Sequence, residues 1–426
     1  MKIAILGYGI EGKSTYAYLK ELNPKYEIDV YDEADITDNE VKITKVKNML
    51  DIDFAPYGVI VRSPSILPDT IVEKIIADKN GSRDFNLTSN TQMFFDKCPA
   101  PIIGITGTKG KGSTASFINE ILKSTGATTH LVGNIGIPAL DALPEVKQGD
   151  IIVYELSSFQ LSDFKRKSPH VAVITMIEPD HMDVHSDMDE YIGAKSNIVK
   201  NQTEDDFVVY YEKDKLVSEI AKSSKAKKIP YPDTEVEKQA RASVKLIGEH
   251  QILNAQAAIL AVKAINPNIT DEQIAKGLAG FEGLPHRLKL VREKNGVKYY
   301  DDSIATTPGS AIASVKSFKE PKILLLGGKD KGADYSELAS EIVSSNVKTV
   351  IVYGANRDRI IDALRNQNFD NIVEVDSKNI SDIVQKSAEI AEPGDVVVLS
   401  PAAASFDMFK SYSDRGEQFV TAINNL

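Results

Sequence analysis

Residues 104–114, with the sequence GITGTKGKGST, constrain this chain more than any other stretch. The apolar run at residues 101–103 predicts a short buried strand before it, and apolar residues at helical spacing over 115–123 predict a helix after it. In such a turn, backbone N–H groups and a helix N-terminus can approach phosphate oxygens, and a lysine adds a full positive charge. The stretch therefore predicts a phosphate-binding loop.

The residue types within the loop predict separate roles. We assign Lys111 to the terminal phosphates of a nucleotide, and either Ser113 or Thr114 to its magnesium ion. The match to the general template is imperfect, because Gly104 lies one residue too far from Gly110 and Gly112 separates the lysine from the first hydroxyl. The alternative is a glycine-rich turn without a ligand. The residues predicted to bind the nucleotide are Gly107, Thr108, Lys109, Gly110, Lys111, Gly112, Ser113 and Thr114.

Length and composition exclude several classes of protein. A chain of 426 residues predicts two or three domains. Its single cysteine, Cys98, excludes an internal disulfide framework and a cysteine metal cluster, and favours a cytoplasmic location. No apolar run approaches the length of a membrane span, and the first residues lack the shape of a signal peptide. A net charge of −11 without a basic stripe argues against nucleic acid as a partner.

The first segment carries a second glycine-rich turn. A strand at residues 2–6, the sequence GYGIEG at 7–12, a helix at 13–22 and a strand at 28–32 ending in Asp32 form the pattern typical of a dinucleotide-binding domain. The pattern favours a nucleotide ligand, although a tight turn without a ligand remains open. Asp32 could equally cap a helix or lie in a solvated loop. A further strand after Gly58 would place Ser63 and Ser65 at the same sheet edge.

The central segment predicts a parallel sheet with functional groups at its edge. A strand at residues 151–154 ends at Glu155, and another at 171–175 ends near His181. In such sheets ligands bind beyond the carboxyl ends of the strands. Beside a phosphate-binding loop, the pair is interpreted as metal ligands for phosphate chemistry. Separately, Glu155 could be a helix cap and His181 an ordinary loop histidine.

The remaining chain completes an α/β architecture. Residues 223–243 are charged and rich in turn formers, which predicts a peripheral hairpin or loop. An alanine-rich helix is expected over 248–265, and residues 281–287 are expected to form an interdomain linker. The third segment shows alternating strands and helices, with strands at 297–301, 322–326, 349–353, 372–375 and 396–399. We expect an N-terminal Rossmann-like domain (1–90), a central P-loop ATPase-like parallel sheet (91–285) and a C-terminal Rossmann-like domain (286–426).

Together these motifs resemble the Mur ligases, ATP-dependent enzymes that join an amino acid to a carboxylate. The resemblance covers the whole chain and is most specific at residues 133–140, 155–161, 281–287 and 400–409. It implies the branch that adds D-glutamate to UDP-N-acetylmuramoyl-L-alanine in peptidoglycan precursor synthesis, through an acyl phosphate and with two Mg²⁺ ions. It also implies a bacterial cytoplasmic enzyme, expected to be a monomer. The first domain would hold the uridine substrate, the second ATP and the third D-glutamate.

The resemblance also implies roles for individual residues. Lys111, His181 and Lys195 would be catalytic, and Lys195 falls where the family has a carbamylated lysine. The magnesium ligands of such an enzyme would be Ser113, Thr114, Glu155, His181 and carbamylated Lys195. Further ATP contacts would come from Asn254, Arg287 and Asp302. The uridine substrate would contact Gly9, Ile10, Glu11, Asp32, Ser63, Asn134, Ser157 and Gln160. The D-glutamate contacts would be Thr306, Lys331, Ser405, Phe406 and Tyr412.

Four positions depart from the family pattern, and several alternatives stay open. Gly112 makes the phosphate loop more like that of folylpolyglutamate synthetases, and Gln251, Ile304 and Ser65 stand where asparagine, lysine and glycine are common. The rival functions are an NAD-dependent oxidoreductase, a folylpolyglutamate synthetase, a non-catalytic nucleotide-binding scaffold and a sister Mur ligase with another amino acid. By spacing, Lys195 could be an ordinary exposed lysine on the helix at 187–200.

Overall fold

The computed structural model describes residues 1–66, 68–164, 166–182 and 184–426. Within these ranges the strands form three sheets, of five, six and six strands. The first two sheets lie in one compact unit, Met1–Val244 with His250–Phe281, and the third lies in a second unit, Lys245–Glu249 with Glu282–Leu426. The expected α/β class is confirmed. The division after Phe281 falls within the expected linker, whereas the boundary expected near residue 90 stays a prediction.

The first sheet is parallel over its described pairings, and its strand order is β3-β2-β1-β4-β5. Buried aliphatic residues of β1 and β4 pack against helices on the two faces of the sheet. The elements are β1 (Lys2–Leu6), α1 (Ile10–Leu22), β2 (Glu27–Asp32), β3 (Ile43–Lys45), a 3₁₀ turn (Met49–Asp51), β4 (Val59–Arg62), α2 (Pro68–Asp78), β5 (Asn86–Ser89) and α3 (Asn90–Lys97).

The second sheet is also parallel over its described pairings, in the order β11-β10-β9-β6-β8-β7. The elements are β6 (Ile102–Thr106), α4 (Lys111–Ser124), β7 (Thr129–Gly133), α5 (Ala139–Ala142), a 3₁₀ turn (Leu143–Glu145), β8 (Ile151–Glu155), α6 (Ser158–Leu161), β9 (Val171–Ile174), α7 (Met188–Ser196), β10 (Phe207–Tyr211), α8 (Lys215–Ser223), β11 (Lys227–Tyr231), α9 (Thr234–Ser243), α10 (Glu249–Ile265) and α11 (Asp271–Gly280). The order places β6 between β8 and β9, so the ends of these three strands are neighbours.

The third sheet has the order β12-β13-β17-β14-β15-β16, with β12 antiparallel to β13. The edge strand β12, with the sequence KLVREK, contains only exposed or partly buried residues, four of them charged, and sequence reasoning missed it. The elements are β12 (Lys289–Lys294), β13 (Val297–Asp301), α12 (Pro308–Lys316), β14 (Lys322–Gly327), α13 (Ser336–Ser344), β15 (Val347–Tyr353), α14 (Arg357–Asn366), β16 (Ile372–Glu374), α15 (Ile380–Ile390), β17 (Val396–Leu399) and α16 (Tyr412–Asn424).

The expectation of a hairpin or loop over residues 223–243 is wrong. The chain there forms the edge strand β11, paired with β10, and then helix α9. Asp233 caps this helix by accepting hydrogen bonds from Glu235 N and Val236 N. Charged residues are abundant because an edge strand and an outer helix expose much of their surface, so the composition did not indicate a loop.

Across the described residues, no helix combines the length and apolar character that crossing a bilayer would require.

Helix α4 is held by a close contact with α11. A Cβ added to Gly277 in α11 would lie 2.3 Å from Ile121 Cα in α4, so only glycine allows the two backbones to approach this closely. Gly280 lies three residues further along α11, and no described residue outside its own stretch of helix comes within 4 Å of its Cβ position.

These two glycines give a matched test of the packing behind the phosphate-binding loop. Gly277→Ala should lower stability by about 1–3 kcal/mol, because the new methyl group forces the helices apart. Gly280→Ala should be neutral or slightly stabilising, because alanine favours the helix. Urea unfolding followed by circular dichroism measures both. Equal midpoints for the two variants would contradict the helix contact.

Candidate functional site

The glycine-rich turn between β6 and α4 has a backbone that requires glycine. Gly107 has a φ of 144° and Gly110 a φ of 88°, values that other residues rarely adopt. A Cβ on Gly107 would lie 1.9 Å from Thr175 Oγ1, and one on Gly110 would lie 2.4 Å from Asn254 Oδ1. Asn254, one of the expected ATP contacts, therefore packs directly against the turn.

Two lysine ammonium groups converge on one carbonyl of this turn. Lys111 Nζ donates to Gly107 O and to Thr108 O, both at 3.0 Å, and Lys195 Nζ donates to Gly107 O at 2.8 Å. Lys195 is only 2 % exposed. Its burial and the charge of Lys111 hold the pKa of its amine well below the usual range. Two cations this close are stabilised by an anion or by loss of a proton, so the arrangement is suited to phosphate.

Tyr191, to which sequence reasoning gave no role, packs against Lys195. The Lys195 Nζ atom lies 4.6 Å from the centre of the Tyr191 ring. The Tyr191 hydroxyl lies 2.9 Å from Thr108 Oγ1 in the turn. The ring therefore covers the buried amine and ties helix α7 to the turn. An aromatic residue one helical turn before a lysine was the available signal, but such a pair is common in helices.

Oxygen-bearing side chains surround the lysines at the ends of the adjacent strands. Glu155, the last residue of β8, is buried, and its charge opposes the lowering of the Lys195 pKa. Ser113 and Thr114 are buried in the first turn of α4. Among the described residues, Thr114 Oγ1 has no hydrogen-bond partner. Carboxylate and hydroxyl oxygens are the ligands that Mg²⁺ prefers.

His181 lies in the loop after β9, with a left-handed backbone at φ 57°. Its half-exposed ring packs 4.9 Å from the ring of Phe159, and its Nε2 lies 3.6 Å from Asp180 Oδ2. In the described parts of the chain, no three histidine, cysteine, aspartate or glutamate side chains form a cluster that could hold a metal ion. A metal site here would need the hydroxyls or Lys195 as well, so the expected ligand set stays a prediction.

At the edge of the first sheet, Asp32 and Ser63 hold the first glycine-rich turn. The two carboxylate oxygens of Asp32 accept hydrogen bonds from Tyr8 N at 2.6 Å and Ala34 N at 2.7 Å. Ser63 Oγ donates to Gly7 O at 2.9 Å. The turn leaves Gly9 and Ile10 exposed at the start of α1. Both predicted polar residues thus organise the turn, and their contact with a nucleotide stays a prediction.

Three of the predicted uridine-substrate residues meet between the two sheets. Ser157 and Gln160 cap α6 reciprocally, with Gln160 N donating to Ser157 Oγ at 3.2 Å and Ser157 N donating to Gln160 Oε1 at 2.8 Å. Gln160 Nε2 also donates to Glu11 Oε1 at 2.6 Å. Burial raises the pKa of Glu11 above its usual value. Asn134 lies in an exposed turn after β7.

Sequence reasoning also missed Arg62 and Asp163, which form a buried ion pair. Arg62 Nε lies 2.7 Å from Asp163 Oδ2, and Arg62 Nη2 lies 2.6 Å from Asp163 Oδ1. Arg62 ends β4 of the first sheet, and Asp163 follows α6. The pair therefore joins the regions of the two sheets. The available signal was an arginine ending an apolar strand, a place where a charge needs a partner.

In the second unit, Asp302 directly follows β13 and is almost fully buried. It accepts hydrogen bonds from Leu288 N at 3.2 Å and Ser400 Oγ at 3.1 Å. Burial raises the pKa of Asp302 to about 7, although Arg287 acts in the opposite direction. Arg287 and Asp302, both expected to contact ATP, are therefore near each other. The contact of Arg287 and Asp302 with ATP stays a prediction.

The residues expected to bind D-glutamate follow three neighbouring strands of the third sheet. Thr306 follows β13, Lys331 follows β14, and Ser405 follows β17. Ser405 is buried and Lys331 is exposed, while Phe406 exposes 62 % of its surface and Tyr412 exposes 40 %. Hydrogen bonds between Lys329 N and Ala404 O, and between Ala402 N and Ala305 O, join these loops.

The buried Arg415, not singled out from the sequence, fixes two of these loops. Its guanidinium donates to Ser303 Oγ at 2.9 Å, Ser303 O at 2.9 Å and Ala403 O at 3.1 Å. Ser303 Oγ in turn donates to Tyr412 O at 2.8 Å. The third sheet therefore presents an ordered edge with an exposed aromatic ring and a lysine, which is suited to a small anionic ligand.

Comparison with known proteins identifies the family. Residues 105–242 match the family model of the Mur ligase middle domain, and residues 286–403 match that of the Mur ligase, glutamate ligase domain. The UDP-N-acetylmuramoylalanine–D-glutamate ligases of Ruminiclostridium cellulolyticum and Acetivibrio thermocellus are 35% and 34% identical to the chain. The matches cover 100% of the chain and 97% and 96% of these relatives. The chain belongs to the Mur ligase family. The resemblance inferred from the motifs is thereby confirmed.

Solved structures of Mur ligases share the fold. UDP-N-acetylmuramate-alanine ligase MurC from Thermotoga maritima matches 100% of the chain and 99% of its own length, with a TM-score of 0.61 at 16% identity. MurF ligase from the same organism, solved in complex with ADP, matches 99% of the chain and 94% of its own length, with a TM-score of 0.58 at 16% identity. A folylpolyglutamate synthase from Mycobacterium tuberculosis matches 78% of the chain and 94% of its own length, with a TM-score of 0.57 at 15% identity.

The buried Asp302 gives a pH-dependent prediction. Because its pKa is raised from 3.8 to about 7, the folded chain holds this proton more tightly, and stability falls as pH rises from about 4 to about 7. Asp302→Asn removes the buried charge, so it should raise stability at pH 8 by up to about 4 kcal/mol. The gain should shrink as pH falls through 7 towards 4.

Urea unfolding of the variant and the native chain at pH 4.5 and pH 8 measures this difference. The same substitution at the exposed Asp362 in α14 provides the control. A gain for Asp302→Asn that is equal at both pH values would show that Asp302 is not held protonated by burial.

Proposed function

We propose that the chain is an ATP-dependent ligase that joins D-glutamate to UDP-N-acetylmuramoyl-L-alanine in the synthesis of peptidoglycan precursors. The observation that carries the proposal is the convergence of Lys111 and buried Lys195 on the Gly107 carbonyl of a phosphate-binding turn. Relatives with this activity in their names match the chain from end to end. The proposed enzyme acts in the bacterial cytoplasm as a monomer.

The proposed reaction makes a carboxylate electrophilic. A carboxylate oxygen of the uridine substrate attacks the γ-phosphorus of ATP, ADP leaves, and an acyl phosphate forms. The neutral amine of D-glutamate then attacks the carbonyl carbon, the bond between that carbon and the phosphate oxygen breaks, and the nitrogen loses a proton to solvent. Phosphate leaves with one oxygen of the original carboxylate. The protein contributes position and positive charge. Lys111 would gather the phosphate oxygens, and the α4 N-terminus would add its partial positive charge.

The residues present fit magnesium, the metal that the family resemblance implies. The buried Thr114 hydroxyl, which has no hydrogen-bond partner among the described residues, and the buried Glu155 carboxylate are hard oxygen donors. Ser113 or Thr114 would hold the ion of the nucleotide, and Glu155, His181 and Lys195 would hold a second one. Bound magnesium would neutralise phosphate charge and polarise the oxygens of the reacting phosphoryl group.

Carbamylation of Lys195 would reconcile its burial with such a role. Carbon dioxide adds to a neutral amine, and the low pKa of the Lys195 amine makes the neutral form more abundant. The product is an anion, which would remove the repulsion between Lys195 and Lys111 and supply an oxygen ligand. Its buried position beside Gly107 supports this proposal more strongly than helical spacing does.

The edges of the other two sheets would bind the remaining substrates. The turn at residues 7–12, held by Asp32 and Ser63, would take the uridine nucleotide, and Asn134, Ser157 and Gln160 would contact its muramoyl part. Lys331 would pair with a carboxylate of D-glutamate, beside the hydroxyls of Thr306 and Ser405. ATP would contact Lys111 and Asn254, and the family resemblance implies further contacts from Arg287 and Asp302.

A phosphate-release assay tests the proposed function. The full chain receives ATP, Mg²⁺ and UDP-N-acetylmuramoyl-L-alanine, and each of D-glutamate, L-glutamate, L-lysine and diaminopimelate in turn. D-Glutamate should give phosphate and one equivalent of amide product, identified by mass spectrometry. Preference for another amino acid would assign the chain to a sister ligase or to folate chemistry. ATP binding without product would make it a scaffold, and nicotinamide binding without ATP turnover would make it an oxidoreductase.

Two lysines on α4 provide a matched pair for this assay. Lys111→Ala should reduce turnover by orders of magnitude, because it removes the cation at the reacting phosphate. Lys123→Ala changes an exposed lysine in the same helix, paired with Glu120, and should retain activity. Equal turnover in the two variants would contradict the assignment of the phosphate-binding turn.

Lys195 gives a test by chemical rescue. Lys195→Ala should lose most activity, since it removes the proposed carbamate, and added acetate should restore part of it by supplying a carboxylate in the vacated volume. Acetate at equal ionic strength should leave the native enzyme unchanged. Full activity of the alanine variant without acetate would show that Lys195 needs no carbamate.

A further inference from the structure

Arg62 is the largest charged side chain that the described structure buries between the first two sheets. Its side chain is 0 % exposed and that of its partner Asp163 is 4 % exposed. Besides the two bonds to this carboxylate, Arg62 Nη2 donates to Phe159 O at 2.8 Å and Ser162 Oγ at 2.9 Å. Because these acceptors are fixed and the contact is buried, the guanidinium of Arg62 has one allowed orientation.

The other side of the same guanidinium holds the loop after β4. Arg62 Nη1 donates to Ile66 O at 3.0 Å and Ser63 O at 3.3 Å. Ser63 Oγ donates to Gly7 O in the first glycine-rich turn. One planar group therefore connects that turn, through a single intervening residue, to the segment that includes α6.

The segment on the far side of the pair carries the other half of the proposed uridine-substrate site. Its Ser157 and Gln160 cap α6, and Gln160 contacts Glu11 in the turn. Asn197 Nδ2 donates to Leu161 O at 2.9 Å, which ties the segment to the region after Lys195. Phe159, whose carbonyl binds Arg62, packs its ring against His181. A shift of this short helix would therefore disturb the proposed contacts of residues 157–160 with the uridine substrate.

We infer that Arg62 and Asp163 are a positioning pair, which fixes the spacing between the first glycine-rich turn and α6 and so sets affinity for the uridine substrate. This inference rests on the proposed function. Neither residue needs to touch the substrate. Their contribution is the fixed distance between two groups of substrate contacts, at residues 7–12 and residues 157–160.

Arginine is needed at position 62 because of the shape of its side chain together with its charge. Charge alone would not be enough. The guanidinium presents parallel N–H groups to the carboxylate and further N–H groups to carbonyls on both sides. A lysine would keep the charge but could not make these bonds in one plane. Removal of either partner leaves a buried charge without its counterion, so the contact would open and admit water.

Steady-state kinetics on the full chain separate positioning from a structural role. Arg62→Lys, Arg62→Gln and Asp163→Asn should each raise KM for UDP-N-acetylmuramoyl-L-alanine by roughly tenfold or more. KM for ATP and kcat at saturating uridine substrate should change little. The double variant Arg62→Gln/Asp163→Asn should be no worse than the poorer single variant, because both changes break one contact.

The pair Lys74–Asp78 in α2 provides the control, since it is an ion pair of the first-sheet region. Lys74→Gln should leave every KM unchanged. If the native chain forms no D-glutamate product, the proposed function fails. If it does, an unchanged KM for the uridine substrate in Asp163→Asn, or a fall in kcat with all KM values unchanged, overturns the inference. Should Arg62→Gln fail to fold, Arg62→Lys and the nearly isosteric Asp163→Asn decide in the same way.

Discussion

The candidate site depends on one electrostatic constraint, the meeting of two lysine ammonium groups at the carbonyl of Gly107. The turn can offer that carbonyl only because glycine permits its backbone conformation and its close approach to Thr175. Burial of Lys195 removes the water that would otherwise screen the repulsion from Lys111. The pair therefore favours a phosphate between the lysines or a neutral, reactive amine on Lys195. Both outcomes belong to the chemistry proposed for the chain.

The sheet topology places the other groups around this constraint. Strand β6 lies between β8 and β9, so the turn after β6, Glu155 and the loop with His181 share one edge. The first sheet meets this region through Arg62 and Glu11, and the third sheet carries its own ordered edge in a separate compact unit. Each of the three sheets therefore has an edge that is available for one of the proposed substrates, and the ends of its strands fix the residues at that edge.

Local patterns in the sequence predicted the elements but not the long-range pairings. Three local features together predicted the α/β class. They are the apolar strand before the phosphate-binding turn, the helix after it and the alternation of strands and helices. The same patterns missed β12 and misjudged residues 223–243, because edge strands and outer helices are polar like loops. Spacing favoured an exposed Lys195, whereas the packing of α7 against the turn buries it. Arg62 and Asp163 lie 101 residues apart, so no local pattern could have paired them.

The transfer of a carboxylate oxygen to phosphate tests the central claim most directly. UDP-N-acetylmuramoyl-L-alanine labelled with ¹⁸O in its terminal carboxylate is incubated with the full chain, ATP, Mg²⁺ and D-glutamate, and the released phosphate is analysed by mass spectrometry. An acyl phosphate formed at the Lys111 site predicts one ¹⁸O atom in each phosphate released with product. Product accompanied by unlabelled phosphate would contradict activation of the carboxylate by ATP and, with it, the role proposed for the two lysines.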